Sequence, residues 1–205
     1  MSRRPKVETG LTRASITQAA IEIAQREGLS ALTMRRLAVQ MGVDSAAFYY
    51  HFKDKGELLR AVGRMSFAML DIPQESDYPE WREWFIAVGN RYRDLLVQNA
   101  YLRTLLQENY VAWTSLPLYA VHRKQLLSER IPEDKHHFIL ESTNAFVIGS
   151  AAVTAHYYDA GSVITPGDDE DVAAMIQQRR DEFNLAFRVL LNGLITELRT
   201  GSARR

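Results

Sequence analysis

The chain has no cysteine among its 205 residues. That excludes disulfides, thiolate nucleophiles and cysteine-held metal centres, and it fits a cytoplasmic protein. Net charge is lacking too: 25 Lys plus Arg face 25 Asp plus Glu, which over the whole chain argues against a polyanionic partner. The longest uncharged stretch, Ser142 to Tyr158, contains Asn144, several Ser and Thr, and His156. It falls short of the roughly 20 apolar residues that a bilayer-spanning helix needs, so no membrane association is expected. No apolar stretch follows the basic N-terminal residues, so no secretory signal is expected. No segment alternates apolar and polar residues for long enough to suggest a strand. There is no G-x-S-x-G, no glycine-rich phosphate loop and no paired carboxylates in a plausible cleft, so neither enzymatic activity nor a cofactor is expected.

The charge that is present is unevenly placed. Residues 1–64 hold 11 basic and 6 acidic side chains, net +5, while the remaining 141 hold 14 and 19, net −5. A basic head on an acidic body is the asymmetry expected when one end meets nucleic acid. Arg3, Arg4 and Lys6 extend that charge ahead of the first helix, and two readings stay open: an arm that touches DNA, or a solvated tail.

Thr33 to Phe52, TMRRLAVQMGVDSAAFYYHF, spells two short helices around a tight turn. Met34, Leu37, Ala38 and Met41 repeat at helical spacing behind Thr33, a capping residue type. Gly42 can close that helix in the left-handed conformation, and Asp44 or Ser45 can cap the next. The second helix starts with small residues (Ser45, Ala46, Ala47), which let a backbone approach base edges. Polar and aromatic groups that can reach phosphates follow, with Phe48 and Phe52 expected inward. This is a helix-turn-helix; the competing reading is an ordinary pair of core helices. Downstream, Asp54-Lys55-Gly56-Glu57 has the form of a capping box, and it places Lys55 in a first helical turn beside free N–H groups. Upstream, Ile16, Ala19, Ala20, Ile23 and Ala24 form the apolar face of a helix from about Thr12 to Gly28, so three helices share a core.

Across Ile16 to Leu59, the pattern AAIEIAQREGLSALTMRRLAVQMGV, the aromatic FYYHF and the following KDKGELL resemble the DNA-binding domain of the TetR/AcrR family of bacterial transcriptional regulators. The resemblance covers about the first third of the chain. It implies an all-α protein with a helix-turn-helix domain over residues 1–60 and a helical effector-binding and dimerisation domain over 61–205. By position, Thr33 and Arg35 match the family's phosphate contacts, Ser45, Ala46 and Tyr49 its base-facing positions, and Tyr50, His51 and Lys55 its backbone contacts. Ser45 and Ala46 depart from the basic residue and the glycine frequent there, which bears on the operator sequence. The resemblance further implies a homodimer on a double-stranded DNA operator, with repression relieved by a small-molecule effector.

The body reads as helices throughout. After a connection over Asp71 to Tyr78, Pro79 suits the first turn of a helix through Trp81, Trp84, Phe85, Val88 and Tyr92. A break follows near Asn99. Further helices are expected over Ser115 to Arg130, from Pro132–Lys135 to Asp159–Gly161, and from Asp168–Asp171 to the end. The last helix aligns Phe183, Phe187, Leu190, Leu191, Leu194 and Leu198, and the preceding one offers Ala145, Gly149, Ala152 and His156. These stripes suggest a subunit contact; the alternative is burial within one protomer. Candidate effector contacts are Tyr92, Tyr110, Trp113, Asn144, Phe146 and Tyr157; aromatics at this spacing are more often core, and Asn144 also reads as a buried polar residue bonded to a helix carbonyl, while the aromatic character suggests an apolar or aromatic ligand. Two other readings stand beside these. His137 and Glu141, four residues apart, could hold a metal, although no H-E-x-x-H occurs. A DNA-binding architectural or partner-controlled factor would keep the head and need no ligand.

Overall fold

The computed structural model describes residues 11–108, 112, 116–159 and 169–202, with the backbone alone for 117, 156–159, 169–173, 175, 176 and 199–202. Every element is helical. Among the described residues they are, in order, α1 (Arg13–Glu27), a 3-10 turn (Leu29–Ala31), α2 (Met34–Met41), a six-residue 3-10 segment (Ser45–Tyr50), α3 (Lys55–Ala68), a second 3-10 turn (Glu75–Asp77), α4 (Trp81–Gln98), α5 (Ala100–Gln107), α6 (Pro117–Ser128), α7 (Glu133–Asp159) and α8 (Asp169–Ser202). The all-α expectation holds, and α3 runs unbroken through the expected division at residue 60.

The head forms as its capping residues dictate. Thr12 and Ser15 make a reciprocal capping box at the start of α1, and the Thr33 side chain accepts from the Arg36 N–H to begin α2. Gly42 ends α2 at φ +65°, ψ 31°, the left-handed region that costs a β-carbon energy and glycine nothing. Asp44 then accepts from the Ala46 N–H at 2.8 Å. At α3 the expected box is displaced by one residue. Asp54 accepts from the Glu57 N–H, but Glu57 reaches back to the Lys53 N–H at 2.7 Å rather than to that of Asp54. Ile16, Ala20, Ile23, Leu37, Phe48, Phe52, Leu58 and Val62 fill the core between these elements.

In the body, α4 packs against both α7 and α8. Pro79 precedes α4 rather than entering it, since Glu80 is the N-cap. Its antiparallel register on α8 is set by Glu83 with Arg188 (2.9 Å), Asn90 with Asn184 (2.5 Å) and Asp94 with Arg180 (2.7 Å). Phe183, Phe187, Leu191 and Ile195, four residues apart, are all buried by this packing. Phe183, Phe187 and Leu191, expected at a subunit contact, therefore belong to the protomer's own core. The adjoining face of α8 carries the exposed apolar residues instead: Leu185 is 62% exposed and Val189 64%, and Val153 on α7 is 55% exposed.

The residues 133–155 of α7 are long and apolar enough by length and composition to span a bilayer, with a mean hydropathy of 1.3. This segment begins before the uncharged run of Ser142 to Tyr158 because it takes in Ile139 and Leu140 ahead of Glu141. In this fold Ile139, Leu140, Val147, Ala151 and Ala155 are buried in the bundle, so the apolarity serves a helix with neighbours on several sides.

The close approach of α4 and α8 depends on Gly89. A β-carbon there would lie 2.3 Å from Phe187 Cε1, well inside contact distance. Gly89→Ala is expected to lower stability by a net of about 1–3 kcal/mol, against a helix-propensity gain of about 1 kcal/mol. Denaturant unfolding followed by circular dichroism measures the difference, and a stabilised variant contradicts the packing described.

Candidate functional site

The 3-10 winding of Ser45–Tyr50 changes which residues share a face. At three residues per turn, positions i and i+3 eclipse. Ser45 then lies on the side of the buried Phe48 and is half-buried, while Ala46 aligns with Tyr49, and Ala47 with Tyr50. Ala46 is exposed, Tyr49 is 58% exposed and Tyr50 93%. Thr33, Arg35 and Lys55 are exposed, and His51 is half-buried. Of the two adjacent arginines in α2, Arg36 is held by Glu27 through a fork at 2.9 and 2.5 Å, which also lowers the Glu27 carboxyl pKa. Arg35 is directed outward.

Two contributors were missed from the sequence. Arg13, in the first turn of α1, donates to the carbonyl of His51, pairs with Glu57 at 2.8 Å and lies 4.3 Å over the Phe52 ring. It ties the end of the 3-10 segment to α1 and α3 across 38 residues of chain, so no local pattern could reveal it. Val39 on α2 is 72% exposed, an outward apolar group that its helical period alone does not explain.

Among the expected effector residues, Tyr92 and Asn144 do come together. They line a core cavity of about 20 Å³ with Phe85, Gly89, Tyr119, His122 and others. A single water fills such a volume. Phe146 is elsewhere, stacked on Phe183 (5.4 Å) and Phe187 (5.7 Å) against α8, and Tyr110, Trp113 and the side chain of Tyr157 lie outside the described residues. Of the subunit-contact residues, Ala145 and Gly149 are exposed, Ala152, Leu190 and Leu194 half-buried, and the His156 side chain lies outside the described residues. His137 and Glu141 pair at 3.3 Å, and among the described residues no third potential ligand joins them.

The residues 16–62 match the sequence model for "Bacterial regulatory proteins, tetR family". Residues 16–62 therefore form a TetR-family DNA-binding domain. Over 93 residues it is 38% identical to the class C tetracycline repressor protein of Escherichia coli, covering 42% of this chain and 40% of that protein. It spans about 40% of the length of the curated relatives it matches. Solved TetR-family folds extend the likeness over the body. Streptomyces coelicolor ActR in complex with actinorhodin gives a TM-score of 0.69 at 20% identity, covering 92% of this chain and 98% of ActR. BioQ with its double-stranded DNA operator gives 0.65 at 20% identity, covering 91% and 99%. At such identities the likeness is one of fold.

His122, on α6, is buried. Its ring stacks on Phe85 at 3.7 Å and meets Trp84 edge-on at 5.7 Å, and burial pushes its pKa down to about 3. In the unfolded chain histidine titrates near 6.5. Between these values only the unfolded state takes up the proton, so stability is full above pH 6.5 and falls as pH drops toward 3, by at most about 1.4 kcal/mol per unit. His122→Leu is expected to flatten this acid limb when urea midpoints at pH 7 and pH 5 are compared; an equal loss in both proteins rules the assignment out.

Proposed function

We propose that the protein is a sequence-specific, DNA-binding transcriptional regulator that acts as a homodimer in the cytoplasm, and that it represses until a small molecule releases it from a palindromic operator. One observation carries the DNA reading: Ala46 and Tyr49 share an exposed face of the turn-linked second element, inside a domain matched by the family. A small side chain beside an aromatic hydroxyl allows close approach to base edges with one directional contact. Thr33, Arg35, Tyr50, His51 and Lys55 take the phosphates to either side, Lys55 from the first turn of α3, where free N–H groups add to its charge.

Two recognition elements must reach successive major grooves, roughly 34–36 Å apart, and a two-fold assembly does this on a palindrome. The face bearing Leu185 and Val189 of α8 with Ala145, Gly149 and Val153 of α7 suits that assembly: apolar, exposed and furnished with small residues where backbones must approach. Effector control is the thermodynamic partner of this geometry. A ligand that favours a different spacing of the heads lowers DNA affinity, and a coupling of about 1–3 kcal/mol amounts to roughly 5- to 150-fold.

Selection of bound DNA from a random pool, at physiological salt, is expected to yield a palindromic motif. Recovery of no motif, with a steep salt dependence on any duplex, refutes sequence-specific regulation and leaves the architectural role. On the selected site, Tyr49→Ala is expected to lower discrimination against random DNA. Lys55→Ala is expected to weaken both about equally and to reduce the salt slope by about one unit. Equal behaviour of the two variants undoes the division of roles.

A further inference from the structure

None of the six residues from Ser45 to Tyr50 is Arg, Lys, Asn, Gln, Asp or Glu. Those side chains make the contacts that tell most base edges apart in the major groove: Arg or Lys pairs with guanine, Asn or Gln with adenine, and a carboxylate accepts from the cytosine amino group. Asp44, the adjoining carboxylate, caps the segment, accepting from the Ala46 N–H at 2.8 Å. Ser45 could bond to several bases, but the 3-10 winding turns it to the side of Phe48 and leaves it half-buried. Arg35 and Lys55 stand in the first turns of α2 and α3, before and after the segment in the chain. The outward face of the segment itself is left with methyl groups, two aromatic rings and their hydroxyls.

One base presents an apolar group of its own in that groove, the C5 methyl of thymine, and it is met by apolar contact. We infer that Ala46 is a specificity-determining residue that reads a thymine methyl, so that each half-site of the operator places a T·A pair under it. This assignment rests on the sequence-specific reading above and names the base it recognises. Ala46 is exposed beside Tyr49, on the face these two share. Glycine at this position would leave the methyl without a contact, and a longer side chain would hold the backbone away from the base edges.

A contact between two methyl groups discriminates only when its distance is fixed, since a gap of about 0.5–1 Å already forfeits a quarter to a half of the attraction. The segment is held at both ends and from beneath. Asp44 caps its start and Phe48 is fully buried, while Arg13 donates to the carbonyl of His51 at its end and covers the Phe52 ring at 4.3 Å. The winding also sets the spacing along the duplex. A 3-10 segment rises about 2 Å per residue, so Ala46 and Tyr49 lie about 6 Å apart along its axis, close to two base-pair steps of roughly 3.4 Å each. Laid along the groove, the two residues address base pairs separated by one other, Ala46 taking the methyl and the Tyr49 hydroxyl a single hydrogen bond.

The full-length protein is to be bound, by fluorescence anisotropy at physiological salt, to the palindrome selected from random DNA. Each thymine of one half-site is replaced in turn by deoxyuridine, which lacks only the C5 methyl. At one of them the replacement is expected to weaken binding about fourfold, the equivalent of roughly 0.8 kcal/mol for one methyl group. Cytosine at that position, paired with guanine, is expected to weaken it at least as much, and 5-methylcytosine to recover most of the loss. The protein in this series is unaltered, so the folding of a variant does not enter. Ala46→Gly is then expected to bind the thymine and deoxyuridine sites equally. Two results overturn the assignment: a palindrome in which no thymine is sensitive to loss of its methyl, and an Ala46→Gly protein that binds the palindrome with the full wild-type sensitivity. Recovery of no palindrome defeats sequence-specific binding and the role of Ala46 together, whereas a palindrome without methyl sensitivity leaves sequence-specific binding standing and removes the role of Ala46 alone.

Discussion

The contact of Gly89 with the Phe187 ring sets the distance between α4 and α8, and much of the body follows from it. With no β-carbon in the way, the ridge of Phe183, Phe187, Leu191 and Ile195 sinks into the protomer. A ridge four residues apart cannot face two partners at once. Leu185 and Val189 are consequently left outside, on the face beside the most apolar stripe of the helix.

Where the two helices part from this contact, the lining turns polar. Arg93 meets Phe183 one turn away from Gly89, and Asp94 meets Arg180. Burial of a guanidinium is costly unless its donors are met, and here neutral hydroxyls of Ser150 and Thr154 meet two of them. The neutral core cavity at Tyr92 contrasts with this arrangement. Tyr92 Oη and His122 Nε2 find no hydrogen-bond partner among the described residues, and burial keeps both rings uncharged.

The junction between body and head is equally economical. Gln25, Asn99, Ser66 and Tyr101 link α1, α3 and α5 by two hydrogen bonds, and Arg13 fastens the end of the 3-10 segment onto α1 and α3. The α5 helix is therefore joined to α1 and α3 through helical elements, with little loop between.

The sequence by itself determined the features that depend on neighbours along the chain: the caps at Thr33 and Asp44, the left-handed Gly42, the break at Asn99, and the helix-turn-helix with its inward Phe48. Those are local because one residue's side chain or φ angle settles each of them. Only the tertiary structure decided what depends on distant partners. Whether Phe187 faces a core or a subunit turns on the missing β-carbon of Gly89, 98 residues away in the chain. The burial of Arg93 is met by hydroxyls on α7. Likewise the register of Ser45 followed from a tighter winding than its α-like pattern implied. Periodicity reports that a face is apolar; which partner covers it is fixed by packing between helices, and no single helix carries that information.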